Sequence, residues 1–310
     1  MTRRVAAVDC GTNSIRLLVA DIDPDAATLT DVDRRMEIVR LGEGVDATGR
    51  LAPEALARTF IACDTYAAVV RDTGAERVRF VATSASRDVE NRDEFVAGVR
   101  ERFGVDPEVV TGDEEAALSF AGATRELVTT DLAQPFLVVD IGGGSTELVL
   151  GGTSVEAARS VDIGCVRMTE RHLHDDPPTA AQISAARADI DKAISLAAET
   201  VPLERAATLV GLAGSVTTVA AMALDLPMYD PARIHHAQIP AAHVHRVARS
   251  LLGMRRAERA SLPFMHPGRV DVIAAGALVL SALQHRVEAD VVVVSEHDIL
   301  DGIAWSLVDP

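Results

Sequence analysis

The sequence predicts an α/β protein of two related domains with a cleft between them, and two observations carry that expectation. Val5–Val19 and Phe136–Leu150 repeat one another, each reading as an aliphatic strand, a glycine-containing turn and a second strand. Asp9 matches Asp140, Gly11 matches Gly142 and Ser14 matches Ser145 at one constant offset. The chain has 310 residues, more than a typical single domain. Domains are expected at 1–128, joined by a C-terminal helix at 298–310, and at 129–297.

Each element follows from its local pattern. Val5–Asp9, Ile15–Asp21 and Thr28–Val39 read as a three-stranded antiparallel meander ending at the Gly42-Glu43-Gly44 turn. Pro53–Arg71 reads as a helix, with proline in its first turn and a stop near Gly74. Val78–Ala82 is a short buried strand that delivers Thr83–Arg87 at its carboxyl end, where open α/β sheets collect ligand groups. A helix is expected over Arg92–Phe103, a strand ending at Val109-Val110, and a helix over Asp113–Val128, with Thr129–Pro135 as the linker. In the second half, Ser154–Asp162 continues the sheet and Gly164–Arg167 opens a helical stretch broken at Pro177-Pro178. Thr179–Ala198 reads as a long amphipathic helix and Thr208–Ala213 as a strand running into a third glycine-hydroxyl turn at Gly214-Ser215. Helices at Ala241–Leu252 and Asp271–Arg286, a strand at Val291–Ser295 and a helix at Asp298–Val308 complete the chain.

Hydrophobic residues make up 48% and charged residues 25%, an ordinary globular mix. No apolar run is long enough to cross a bilayer, and Met1-Thr2-Arg3-Arg4 leads into the first strand without a signal-peptide core, so a cytoplasmic protein that does not engage membranes is expected. A formal net charge of −16 argues against nucleic-acid binding, which draws on clustered cations. Cys10, Cys63 and Cys165 are unclustered and odd in number, so they are read as reduced structural thiols. Cys10 sits in the first turn, where a thiol reagent is expected to obstruct binding.

The repeated hairpins carry the chemistry. A carboxylate at a strand end, followed by glycine and hydroxyl residues, makes a turn whose backbone N–H groups point outward and bind anions. Asp9 and Asp140 would repel a bare phosphate, so a divalent cation is implied, with Mg²⁺ suiting hard oxygen ligands and Mn²⁺ an alternative. Glu147 follows the second turn and is placed to bind that cation, while Arg16 holds the matching position in the first copy. Thr111 and Glu114 form a capping box; Glu115, turned about 100° around the helix, is not needed for the cap and is the candidate base that orients a water for attack on phosphorus. Arg87 follows a strand end and suits neutralisation of a phosphoryl group in transfer. The His235-His236, His243-x-His245 and His172-x-His174 pairs lack the helical spacing with an acidic partner that marks a zinc hydrolase, and are read as solvated or core histidines.

Val8–Arg16, Ala82–Arg87, Gly112–Ala116 and Val139–Glu147 resemble the phosphate, arginine and catalytic glutamate motifs of the exopolyphosphatase and guanosine pentaphosphate phosphohydrolase family. Asp162–Arg167, Gly211–Thr218, Pro267–Asp271 and Ser295–Gly302 are similar as well, so the resemblance runs nearly end to end. It implies two ribonuclease-H-like domains of the actin-like ATPase superfamily and a homodimer. It further implies Glu115 as the base, Asp140 and Glu147 as metal ligands, which Asp9 joins on the hairpin reading, and phosphate contacts from Asn13, Ser14, Arg87, Gly143, Gly144 and Ser145. Arg16, Gly214 and Ser215 are added from the hairpin and third-turn readings. The expected reaction is release of terminal orthophosphate from inorganic polyphosphate by Mg²⁺-assisted attack of water. Longer family members append a helical C-terminal domain, so a preference for shorter polyphosphate is expected. Guanosine pentaphosphate (pppGpp) hydrolysis is the nearest alternative, with a nucleoside pocket near Gly211–Thr218. An ATP-driven kinase or chaperone-type ATPase shares the hairpins, but no segment is left over for its substrate domain.

Overall fold

The computed structural model describes residues 1–87 and 89–308. Residues 309 and 310, the end of the expected C-terminal helix, lie outside the described residues. The chain forms two compact units, one comprising Met1–Gly122 with the segment from Ile299, the other Ala123–Asp298.

The first unit is built on strands β1 (Arg3–Cys10), β2 (Ser14–Asp23), β3 (Thr28–Ile38), β4 (Arg77–Ala82) and β5 (Glu108–Val109) in the order β3-β2-β1-β4-β5. The meander β1, β2, β3 is antiparallel, and β4 and β5 add in parallel beside β1. Its helices are α1 (Val45–Thr48), α2 (Pro53–Thr73), α3 (Ser84–Arg87), α4 (Arg92–Phe103) and α5 (Gly112–Leu127), of which α5 runs on past Gly122. Strand alternation sends Ala6, Val8, Ile15 and Leu17 to one apolar cluster with Leu56, Tyr66 and Phe95 of α2 and α4. Val5, Ala7, Leu18 and Ala20 face the other way, against Ile303, Ala304 and Trp305 of the C-terminal helix Ile299–Ser306. A sheet covered on both faces explains why β1 and β2 read as nearly continuous apolar runs. The Arg34 guanidinium reaches Asp301 at 2.6 Å, and a Cβ on Gly302 would lie 2.0 Å from the Leu118 carbonyl oxygen, so the helix seats there only because residue 302 lacks a side chain.

The second unit repeats the plan. Strands β6 (Phe136–Ile141), β7 (Thr146–Gly151), β8 (Val155–Val161), β9 (Thr208–Leu212), β10 (Gln238–Pro240) and β11 (Val291–Val294) lie in the order β8-β7-β6-β9-β11-β10. The first three are an antiparallel meander, β9 and β11 add in parallel, and β10 pairs antiparallel at the edge. Shared strand order and direction make both units ribonuclease-H-like. Helices α6 (Cys165–His172), α7 (Ala180–Ala198), α8 (Ala213–Ala223), α9 (Pro231–Ile234), α10 (Ala241–Gly253), α11 (Arg256–Ala260) and α12 (Ile273–Val287) complete the unit, with Ile190, Val219, Val247 and Leu280 in its core. Thr179 caps α7 by accepting from the Gln182 N–H, whose side chain in turn accepts from the Thr179 N–H.

Elements shorter than five residues are the main differences from the sequence pattern. Thr83–Arg87, expected only as the stretch delivered at the carboxyl end of a strand, contains the single turn α3, and α1, α9 and β10 carry no periodicity that four residues or fewer can display.

Candidate active site

In the first unit the candidate groups gather at the carboxyl edge of three adjacent parallel strands. Asp9 pairs in register with Val81, and Val81 with Glu108, so β1, β4 and β5 end together and release residues 11–14, 83–87 and 111–115 at one edge. The β1–β2 turn is closed by the Gly11 N–H to the Ser14 carbonyl at 2.9 Å. The Cys10, Thr12 and Asn13 carbonyls are tied back by N–H groups of Thr83, Gly42, Val39 and Arg40 at 2.9–3.1 Å. In a planar trans peptide the N–H points opposite its carbonyl, so the Asn13 N–H turns to the other side.

Glu115 is buried in the first turn of α5, and Arg87 Nη2 donates to its Oε2 at 2.5 Å while Arg87 Nε donates to the Val110 carbonyl. The arginine thus anchors the carboxylate to the neighbouring strand end. Thr111 accepts from the Glu114 N–H at 3.2 Å, as a cap should. The expected return contact of the box is replaced: the Glu114 carboxylate pairs with Arg79 at 2.7 Å, because a guanidinium is a stronger partner than a backbone N–H. Asp9 and Arg16 face one another in the β1–β2 register, and Arg16 donates twice to Asp9 Oδ2, at 2.7 and 3.0 Å. Cys10 is fully buried and burial pushes its thiol well above the usual range, so the expected obstruction by thiol reagents is withdrawn.

The second hairpin has the same turn with different charges. The Gly142 N–H bonds the Ser145 carbonyl at 3.1 Å, matching Gly11 and Ser14. The Gly142, Gly143 and Gly144 carbonyls accept from N–H groups of Cys165, Val166, Arg167 and Gly164 at 2.9–3.2 Å, so the start of α6 holds the loop from behind. By the same peptide geometry the N–H groups of Gly143, Gly144 and Ser145 turn away from α6, and backbone N–H groups presented together in this way can donate to an anion. A Cβ on Gly164 would come 2.2 Å from the Gly143 oxygen, which explains glycine there. Asp140 faces Glu147 across the ladder, where the first copy has Asp9 opposite Arg16. Both are buried, Glu147 at 1% exposure, and Ser160 Oγ donates to Glu147 Oε1 at 2.7 Å. Opposed carboxylates in such a setting call for positive charge at that strand end.

Gly214 and Ser215 begin α8 just after β9, whose Leu212 pairs with Asp140. Gly214 lies under the Arg269 guanidinium, which donates to its carbonyl at 2.9 Å, and Ser215 is buried beside Gly276 and Cys165. Two arginines not singled out from sequence belong to these loops. Arg167 donates from Nε to the Gly144 carbonyl at 2.8 Å, and Arg269 covers Gly214; both stood inside motifs, but nothing local shows which loop such a side chain will reach.

Residues 18–309 match the model of the Ppx/GppA phosphatase family. The chain belongs to that family. Exopolyphosphatase 2 of Mycobacterium tuberculosis is a Ppx/GppA relative 54% identical over 98% of both chains. Guanosine-5'-triphosphate,3'-diphosphate pyrophosphatase of Vibrio atlanticus is 31% identical over 98% of this chain and 59% of its own length. The crystal structure of an exopolyphosphatase-like protein matches with a TM-score of 0.95 at 44% identity, over 99% of this chain and 98% of that one.

Proposed function

We propose that this Ppx/GppA phosphatase is an exopolyphosphatase, releasing terminal orthophosphate from inorganic polyphosphate by attack of water. The observation that carries the chemistry is Glu115, a buried carboxylate anchored by Arg87 at a strand edge beside a phosphate-type turn. Glu115 takes the proton of the attacking water, and Arg87 holds it in place while offering charge to the phosphoryl oxygens. In the second unit the N–H groups of Gly143, Gly144 and Ser145 hold phosphate oxygens, and in the first unit Asn13 and Ser14 do so. The choice of polyphosphate rests on the 54% identical relative.

The all-oxygen pair Asp140 and Glu147 fits a hard divalent cation, so these residues would hold Mg²⁺ or Mn²⁺, with Asp9 serving mainly to set Arg16. Bound there, the cation would neutralise phosphate charge. Gly214 and Ser215 are assigned to shaping the turn beside Asp140. A homodimer and a cytoplasmic location belong to the same reading. Three buried free cysteines suit a reducing compartment, and among the described residues no helix is long and apolar enough to cross a membrane. The second reading, pppGpp hydrolysis, is favoured by the Vibrio atlanticus relative.

The decisive experiment compares phosphate release from polyphosphate and from pppGpp, in the native chain and in Glu115→Gln. Turnover of polyphosphate falling by about 10²–10⁴-fold in the variant, with polyphosphate still bound, is expected. Release from the nucleotide alone would reverse the substrate, and full activity in the variant would remove the base.

A further inference from the structure

Outside the candidate active site, the second unit gathers three histidines around one acid. Glu126 lies in the last turn of α5, His235 and His236 follow α9, and His297 follows β11. Glu126 Oε2 is 3.1 Å from His235 Nε2 and 3.9 Å from His236 Nε2, and Glu126 Oε1 is 3.6 Å from His297 Nδ1. The ligand atoms of Glu126, His235 and His297 all lie within 4.8 Å of one another. The rings also pack, with His235 stacked on His236 at 3.8 Å and tilted by 46° against His297 at 4.6 Å.

We propose that Glu126, His235 and His297, with His236 beside them, form a binding site for a zinc-class divalent metal ion.

Two ligands about 2.05 Å from a tetrahedral ion stand about 3.3 Å apart, and the three separations from Glu126 bracket that edge. Imidazole nitrogen with one carboxylate is a donor set for zinc, whereas the oxygens at Asp140 and Glu147 suit magnesium. Among the described residues, His236 Nε2 is buried and has no hydrogen-bond partner. A buried imidazole nitrogen without a hydrogen-bond partner is a donor suited to a metal. The Glu126 side chain is 53% exposed, so an ion has access from solvent.

The Glu296 N–H donates to His235 Nδ1 at 3.1 Å, which puts the ring proton on Nε2, where it faces Glu126. A metal on Nε2 requires that proton on Nδ1, so the Glu296 N–H must give up its acceptor. One hydrogen bond is the cost of occupancy. The position gives the site a role: Glu126 lies just after Gly122–Ala123 and His297 just before Asp298–Ile299, the two places where the chain passes from one unit to the other. An ion here would bind these two connecting segments together at their ends in the second unit.

The test is calorimetric titration of the full chain with zinc chloride, in excess Mg²⁺ so that oxygen sites are filled. One saturable equivalent is expected, weakened by about 10- to 100-fold or more in His297→Gln and in His235→Ala. The amide resonance of Glu296 should shift on zinc addition in the native chain. Co²⁺ in place of zinc should give intense tetrahedral absorption bands that the variants lose. No saturable binding, or equal affinity in a folded His297→Gln, overturns the site; His297→Gln is the conservative variant should His235→Ala fail to fold.

Discussion

Ser160→Ala tests the metal-binding half of the proposed mechanism without touching a ligand. Ser160 Oγ donates to Glu147 Oε1 at 2.7 Å, and that carboxylate is 1% exposed, so water cannot replace the lost donor easily. A hydrogen bond to a charged group contributes about 1.5–3 kcal/mol. At about 1.4 kcal/mol per decade, loss of that orientation corresponds to roughly 10- to 100-fold weaker Mg²⁺ binding. The assay is polyphosphate hydrolysis across a Mg²⁺ series. The midpoint should move up by that factor while kcat at saturating Mg²⁺ stays within about threefold, and Ser160→Thr, which keeps the hydroxyl and suits a strand, should restore the midpoint. An unchanged midpoint, or a loss of kcat that Mg²⁺ cannot rescue, would refute Glu147 as a metal ligand oriented by Ser160.

Other consequences are equally direct. Gly302→Ala forces a methyl against the Leu118 carbonyl, and thermal melts should show destabilisation of about 1–3 kcal/mol, whereas Gly253→Ala, at the end of α10 with nothing within 4 Å, should be neutral or slightly stabilising. The Cys63 thiol is pushed up to about 12 by burial, so it should resist thiol-specific reagents in the folded chain at neutral pH and react after denaturation. His245, against Ser281, has its pKa lowered by burial first and then by His285, Arg249 and Arg187. Its unfolded form therefore binds protons more readily than its folded form, so the contribution present above about pH 6.5 is lost as pH falls through the lowered value. Chemical denaturation at pH 7.5 and 5.5 should show a drop in the native chain that is smaller in His245→Gln.

Much of this was legible in the residues. The duplicated hairpins were, because a strand buried on both faces must be a continuous apolar run and its turn must be glycine-rich, and both constraints are local. Their common turn bonds, Gly11 to Ser14 and Gly142 to Ser145, repeat what the aligned letters imply. Glu115 was separable from Glu114 by helix period alone, and the structure sends the two side chains to Arg87 and Arg79 respectively. The reciprocal half of the capping box failed because Arg79 comes from another strand, and no neighbouring letter reports its arrival.

Local pattern by itself determined the two-unit α/β plan, the paired glycine-containing turns and the separation of Glu115 from the capping Glu114, since strand alternation, glycine geometry and helix period act over a few residues. Tertiary structure alone decided which charges meet: Arg16 on Asp9 but Glu147 opposite Asp140, Ser160 on Glu147, α6 behind the second loop, and three histidines from two separate segments on Glu126. Side-chain electrostatics depends on distance through space, and residues far apart in the chain are brought to that distance only by the packing of the sheet and its helices.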